Sequence, residues 1–187
     1  MILYRSGEEY FPLVQGSEWK YAVGNDTTYV QVAGDSIVAN RTCIVVNVNY
    51  SPQFWYRVPT QVRRFFRHTV SRGGIEYVLE ERYGLVYVLP LVTGSSWAET
   101  FQDTAVILGS DTIAYLHRLE ARVVGVEKVG TPAGSFGQCY RLDFTEEVRS
   151  LEAETTYYSE WLAPGVGVVR RSSPAGEELL AEYRIGP

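Results

Sequence analysis

The chain has 187 residues, enough for one domain that buries most of its apolar surface without a metal or disulfide staple. A net charge of −5 disfavours a phosphate-backbone partner, so no nucleic acid is expected. No apolar run reaches the ~18–20 residues that a membrane-spanning helix needs. The apolar content comes from 14 Tyr, 7 Phe and 4 Trp against a single Met, with valine the commonest aliphatic residue. Such side chains suit a pleated, half-buried surface better than a helix.

In chain order, Arg5, Glu8 and Glu9 interrupt the start, so no signal peptide is expected there. Turn signals then recur along the chain, at intervals of 10 to 36 residues. They are Gly24-Asn25-Asp26, Gly34-Asp35, Ser51-Pro52, Gly73-Gly74, Gly109-Ser110-Asp111, Gly130-Thr131-Pro132, Pro164-Gly165 and Pro174-Ala175-Gly176. Repeated punctuation of this kind marks meandering strands rather than βαβ units. Between turns the period is two. Thr42, Ile44, Val46, Val48 and Tyr50 alternate with Cys43, Val45, Asn47 and Asn49, and Tyr140, Leu142 and Phe144 alternate with Arg141, Asp143 and Thr145. Leu179, Ala181, Tyr183 and Ile185 alternate with Glu178, Leu180, Glu182 and Arg184, which predicts one apolar and one mostly polar face. The stretch 55–70 is the one serious helix candidate. A hairpin of Val62–Arg72, Gly73-Gly74 and Ile75–Glu81 reads better there, with a short helix around 59–66 as the alternative.

Pro12-Leu13-Val14-Gln15-Gly16-Ser17-Glu18-Trp19 recurs as Pro90-Leu91-Val92-Thr93-Gly94-Ser95-Ser96-Trp97, with six of eight positions identical at an offset of 78. In each copy Gly permits a tight bend and Trp opens the next strand. The expectation is a single all-β domain over 1–187, with an internal repeat of 10–88 and 89–187. Its two related meanders form a strongly curved antiparallel sheet, open or half-barrel, with at most one or two short helices.

Chemistry-bearing patterns are sparse. His117 lies on an alternating strand beside Tyr115 and Leu119, which reads as a packed, hydrogen-bonded histidine. Arg63-Arg64-Phe65-Phe66-Arg67-His68 has the look of a single-strand-binding surface. Glu76, Glu80 and Glu81 on the next strand explain it more simply as cross-strand charge pairing. Gly134-Ser135-Phe136-Gly137 lacks the glycine two residues before the serine that a nucleophile elbow requires. Glu152 and Glu154 share a strand face and could serve glycoside hydrolysis, but surface acids account for them. Cys43 and Cys139 lie 96 residues apart, with no CxxC partner or His/Cys cluster. They are either buried thiols or, in an exported protein, one disulfide. No metal and no cofactor is expected.

Three segments carry a resemblance: Tyr10-Phe11-Pro12-Leu13 with Gly16 and Trp19-Lys20-Tyr21; Val129-Gly130-Thr131-Pro132-Ala133-Gly134-Ser135-Phe136-Gly137-Gln138-Cys139; and Trp161-Leu162-Ala163-Pro164-Gly165-Val166-Gly167-Val168-Val169-Arg170. Leu85–Leu91 with Gly94 and Trp97 fits between them. Their order resembles a group of uncharacterised bacterial exported proteins and lipoproteins with the pattern YFPLxxGxxWxY, PAGTFxxC and YYAPGVGLVK. The resemblance implies a curved sheet similar to the half-barrels of lipoprotein carriers, and a periplasmic, cell-envelope or extracellular location. It supplies no catalytic residues. This chain departs from the pattern in having no lipobox cysteine at its start.

With 25 aromatic residues to place, a concave face could be lined by Trp19, Tyr21, Trp97, Tyr158 and Trp161, and could take a lipid, acyl chain or lipoprotein. The expected function is a non-catalytic exported β-domain of this kind. The alternative is a structural or protein-interaction module of the cell envelope without a small ligand. A hydrolase using Glu152/Glu154 or His117 comes a distant third.

Overall fold

The computed structural model describes residues 10–106 and 111–187. The expectations attached to Arg5, Glu8 and Glu9, and the turn at Gly109-Ser110, lie outside the described residues. Those residues form twelve strands: β1 (Glu18–Val23), β2 (Asp26–Val38), β3 (Arg41–Val48), β4 (Ser51–Val58), β5 (Gln61–Arg72), β6 (Ile75–Val88), β7 (Ser96–Val106), β8 (Thr112–Thr131), β9 (Gly134–Arg149), β10 (Ala153–Ala163), β11 (Gly167–Ser173) and β12 (Gly176–Arg184). All pair antiparallel in one sheet of order β6-β5-β4-β3-β2-β1-β12-β11-β10-β9-β8-β7. The sheet curls into a nearly closed barrel, with no helix among the described residues. The segment 55–70 is strand, and Pro59 and Thr60 form the β4–β5 turn.

Every backbone pairing but one joins strands consecutive in sequence; the exception, β1 with β12, ties the chain's two ends together. The open seam falls between β6 and β7, and side chains bridge it. Glu99 accepts from Leu85 N (2.8 Å) and pairs with Arg82, and Trp97 Nε1 donates to Val86 O (3.0 Å). Side-chain caps of this kind satisfy backbone groups that an edge strand would leave unpaired.

Both Pro-Leu-Val segments make the same turn. Gly16 N donates to Val32 O (3.0 Å) and Val32 N to Ser17 O (2.9 Å); Gly94 N donates to Val123 O (2.8 Å) and Val123 N to Ser95 O (2.9 Å). The two glycines sit at φ +84° and +88°, where a Cβ would be strained. A bulge follows each, at Val32/Gly34 and at Val123/Gly125.

Several turns differ from the expectation. Gly34-Asp35 is the β2 bulge, not a turn; the β2–β3 turn uses Ala39 and Asn40, both at positive φ. The next turn falls at Asn49-Tyr50, again with positive φ at both residues, and Ser51-Pro52 opens β4 instead. Two-residue hairpins need that geometry whether or not glycine is available. Pro52 is tolerated because β4 pairs with β5 only over Trp55–Val58, so its missing N–H faces no partner on that side. The turn assigned to Gly130-Thr131-Pro132 falls at Pro132-Ala133, after β8 has ended.

The last strand corrects a face assignment. Leu180 is fully buried and Glu178 lines the interior, whereas Tyr183 is exposed. The reason is tertiary. The long β8–β9 hairpin folds its tip over β12, with Ala133 N donating to Leu180 O (3.0 Å) and the Phe136 ring meeting Tyr183. A bulge that skips Ala181 opposite Lys20/Tyr21 puts Leu180 and Tyr183 on one face, and Ala133 and Phe136 of the hairpin tip pack against the cluster that holds Leu180 and Trp19.

Cys43 and Cys139 are free, buried thiols in β3 and β9. Burial pushes the Cys139 thiol up to about 11, so it is a poor nucleophile.

The interior packs unevenly. Val62, Phe66, Val86 and Tyr87 of β5 and β6 meet Leu119, Val123, Leu142, Phe144 and Leu162 of β8–β10 in one close-packed cluster. The segment Tyr10–Leu13 threads into the interior: Phe11 stacks against Tyr87 (4.3 Å between ring centres), Tyr10 meets Tyr140 edge-on, and Arg57 Nη1 donates to Phe11 O (2.8 Å). Gly84 is part of this packing. A Cβ there would lie 2.6 Å from Phe66 Cε2, and Phe66 is itself buried against the His117 ring. Gly84→Ala is expected to destabilise by about 1–3 kcal/mol through overpacking, read as a lower urea midpoint with an unchanged slope.

Candidate functional site

Where the walls do not meet, a half-open cavity of about 600 Å³ remains. Its apolar surface comes from Trp19 and Tyr21 on β1, Val30 on β2, Val46 and Val48 on β3, Trp55 on β4, Val86 and Tyr87 on β6, Tyr158 on β10 and Val168 on β11, with Phe11 and Leu13 from the entering segment. Trp19 Nε1 donates to Val166 O (2.7 Å) and Tyr21 OH to Val168 O (2.9 Å). The polar tips are thus spent on the wall and the ring faces are left to the cavity.

The charged groups of the cavity are paired. Glu160, 2 % exposed, accepts from Tyr87 OH (2.6 Å) and from Arg171 Nε and Nη2 (2.9 and 2.6 Å). Arg171 also reaches Glu178 (3.4 Å), and Arg64 lies 3.9 Å from Glu146. Burial first, then the Glu160 charge, holds the Tyr87 hydroxyl well above the usual phenol range. Burial likewise raises Tyr158, whose ring stacks on Phe144.

Of the five aromatic residues singled out from the sequence, Trp19, Tyr21 and Tyr158 lie together in the cavity wall. Trp97 and Trp161 do not. Trp97 closes the β6–β7 seam. Trp161 alternates with Tyr158 and Glu160 along β10 and so points to the other face, where it donates to Glu127 and lies between Arg141 and Arg170. Trp55, Tyr87, Glu160 and Arg171 also line the cavity and are not among the five. A lone glutamate between Tyr158 and Leu162 on an apolar face was the available signal for Glu160.

A second polar centre lies inside the barrel. Glu80 Oε2 receives His68 Nδ1 (2.9 Å), His117 Nδ1 (2.8 Å) and Tyr115 OH (2.8 Å), and Tyr115 also contacts His68. His117 Nε2 lies 3.0 Å from Glu146 Oε1. Burial opposes charge on His117, but the hydrogen bonds it donates to Glu146 and Glu80 outweigh it and hold its pKa up to about 9. Burial likewise works against the Glu80 carboxylate, yet hydrogen bonds from His117 and His68 keep it far below the ordinary range. The cross-strand pairs anticipated for the arginine-rich strand are present: Arg67 with Glu76 (2.9 Å) and Glu81 (3.8 Å), and His68 with Glu80. Glu152 and Glu154 are exposed and line no part of the cavity.

The fold and site together define a twelve-stranded, up-and-down β-barrel with one open seam and a half-open aromatic cavity. Residues 102–180, somewhat under half the chain, match a family described as DUF3108-like. Two crystal structures share the fold. One is a lipoprotein candidate of Parabacteroides distasonis ATCC 8503, 14 % identical, with a TM-score of 0.54 over 94 % of this chain and 98 % of that one. The other is a candidate exported protein with a YmcC-like fold from Bacteroides fragilis NCTC 9343, 13 % identical, with a TM-score of 0.50 over 94 % and 99 %. No curated protein matches the sequence.

Proposed function

We propose that the chain is a non-catalytic exported β-domain that holds a lipid or acyl chain in the cavity between β1–β4 and β10–β12. The observation that carries this reading is the cavity. At about 600 Å³ it falls within the ordinary range for small-molecule sites, and its walls are aromatic and aliphatic with a few polar groups. Arg171 pairs with both Glu160 and Glu178, which leaves the triad one net negative charge, so a hydrocarbon tail would meet paired groups rather than a bare ion. The description of both fold relatives as lipoprotein or exported-protein candidates supports the same compartment.

Titration with saturated fatty acids tests the reading, because Trp19 and Trp55 in the wall report occupancy by fluorescence. Each added methylene should tighten binding about fourfold, from ~0.8 kcal/mol per buried CH₂, until the cavity is full. Val30→Trp should weaken binding at least tenfold by filling the space. No binding at any chain length, with no lipid seen by native mass spectrometry after purification from a bacterial host, would overturn it in favour of an interaction module.

A further inference from the structure

We propose that His68, Glu80 and His117 form a binding site for a divalent transition-metal ion of the zinc type. Their donor atoms, Nδ1, Oε2 and Nδ1, lie within 4.8 Å of one another and come from three different strands, β5, β6 and β8. Two imidazoles and a carboxylate are a ligand set that suits zinc and its neighbours rather than calcium or magnesium.

The surroundings match what a metal-binding histidine needs. The Glu146 carboxylate can only accept, so the His117 Nε2 beside it carries the proton. His117 Nδ1 donates to Glu80 Oε2 at 2.8 Å, and loss of that proton would leave a lone pair aimed at the same place. His68 Nδ1 faces the same oxygen at 2.9 Å. Because the Glu80 carboxylate only accepts, each ring donates a proton to that one oxygen, and a metal ion would take the place of those protons. The Glu146–His117 contact is the carboxylate–histidine arrangement that fixes tautomer and ring orientation around bound metals.

Glu80 is held for the role as well. It is 1 % exposed, and its second oxygen, Oε1, makes no hydrogen bond. Arg82 Nε lies 2.9 Å from that oxygen as an ion-pair partner, which leaves Oε2 directed at the two histidines. The Tyr115 hydroxyl, 2.8 Å from Oε2, stands ready as a further oxygen ligand or as a donor to a bound water. Tetrahedral zinc at ~2.1 Å from each donor needs ligand atoms roughly 3.4 Å apart. Glu80 Oε2 must therefore move about half an ångström away from each histidine nitrogen, a change within rotamer freedom. The His68 side chain is 37 % exposed and provides the entry path that Glu80 and His117, buried beneath it, lack.

The test uses tag-free full-length protein, stripped with a chelator and titrated with Zn²⁺ by calorimetry and with Co²⁺ by visible absorption. One ion per chain is expected, with micromolar or tighter affinity and the intense d–d bands of four-coordinate cobalt. His68→Ala, a substitution at the partly exposed ligand, should weaken binding at least 100-fold with the far-ultraviolet circular dichroism unchanged. Glu146→Gln, which keeps every ligand, should cost about 10–100-fold. X-ray absorption at the zinc edge of the wild-type complex should report two imidazoles, and this readout does not depend on any variant folding. Absence of stoichiometric binding, equal binding by His68→Ala, or a zinc spectrum without imidazole would each overturn the proposal.

Discussion

Replacing Glu160 with alanine is expected to lower stability by about 2–4 kcal/mol, whereas Glu160→Gln should cost clearly less. In the alanine variant Tyr87 OH loses its acceptor inside the barrel, and Arg171 loses two of its hydrogen bonds. Breaking a fully buried ion pair costs about 3–5 kcal/mol, because the surviving charge is stranded. The expectation here is lower for two reasons. Arg171 retains Glu178 at 3.4 Å, and 43 % of its side chain stays accessible, its exposed surface facing the cavity it lines. Glutamine keeps an oxygen for the tyrosine and a similar volume. Denaturant unfolding of the three proteins checks the order. Equal stability of wild type and Glu160→Ala would mean that the carboxylate only decorates the cavity.

The second large effect separates the two copies of Pro-Leu-Val-x-Gly-Ser-x-Trp. Trp19 is buried, with its indole nitrogen bonded to Val166 O. Trp19→Ala should cost about 3–5 kcal/mol, in the range for large aromatic deletions. Trp97 is half-buried and makes the analogous bond to Val86 O across the seam. Its deletion should cost roughly half as much, and it should raise hydrogen exchange in β6 and β7 rather than throughout the barrel. The matching backbone bonds at Gly16 and Gly94, and the matching bulges at Gly34 and Gly125, support reading 10–88 and 89–187 as two copies of one six-strand meander. Under that proposal the copies share a turn but have diverged in what their tryptophans do: one lines the cavity and the other closes the edge.

Much of the architecture was legible because it is local. Gly73-Gly74, Pro164-Gly165 and Pro174-Ala175 are turns where the residue chemistry says they should be, and Leu142 and Phe144 face inward as their alternation requires. The errors arise where a backbone conformation does not depend on glycine. Ala39-Asn40 and Asn49-Tyr50 adopt positive φ because the strand twist on either side demands it. Trp161 was grouped with Tyr158 by residue type, although the two lie three positions apart and so face opposite sides of one strand.

Composition and period by themselves determined an antiparallel all-β chain, since both act through nearest neighbours. Which faces are inside, where the seam falls and which polar groups meet were decided only by tertiary structure. Glu178 reads as a solvent-facing acid until β11 places Arg171 beside it, and His68, Glu80, His117 and Glu146 are charge-paired or packed residues on four separate strands until curvature brings β5 and β6 over β8 and β9. Side-chain period is a property of a single strand. Barrel closure is a property of the whole sheet, because the strand twist accumulates across all twelve strands before opposite walls can touch.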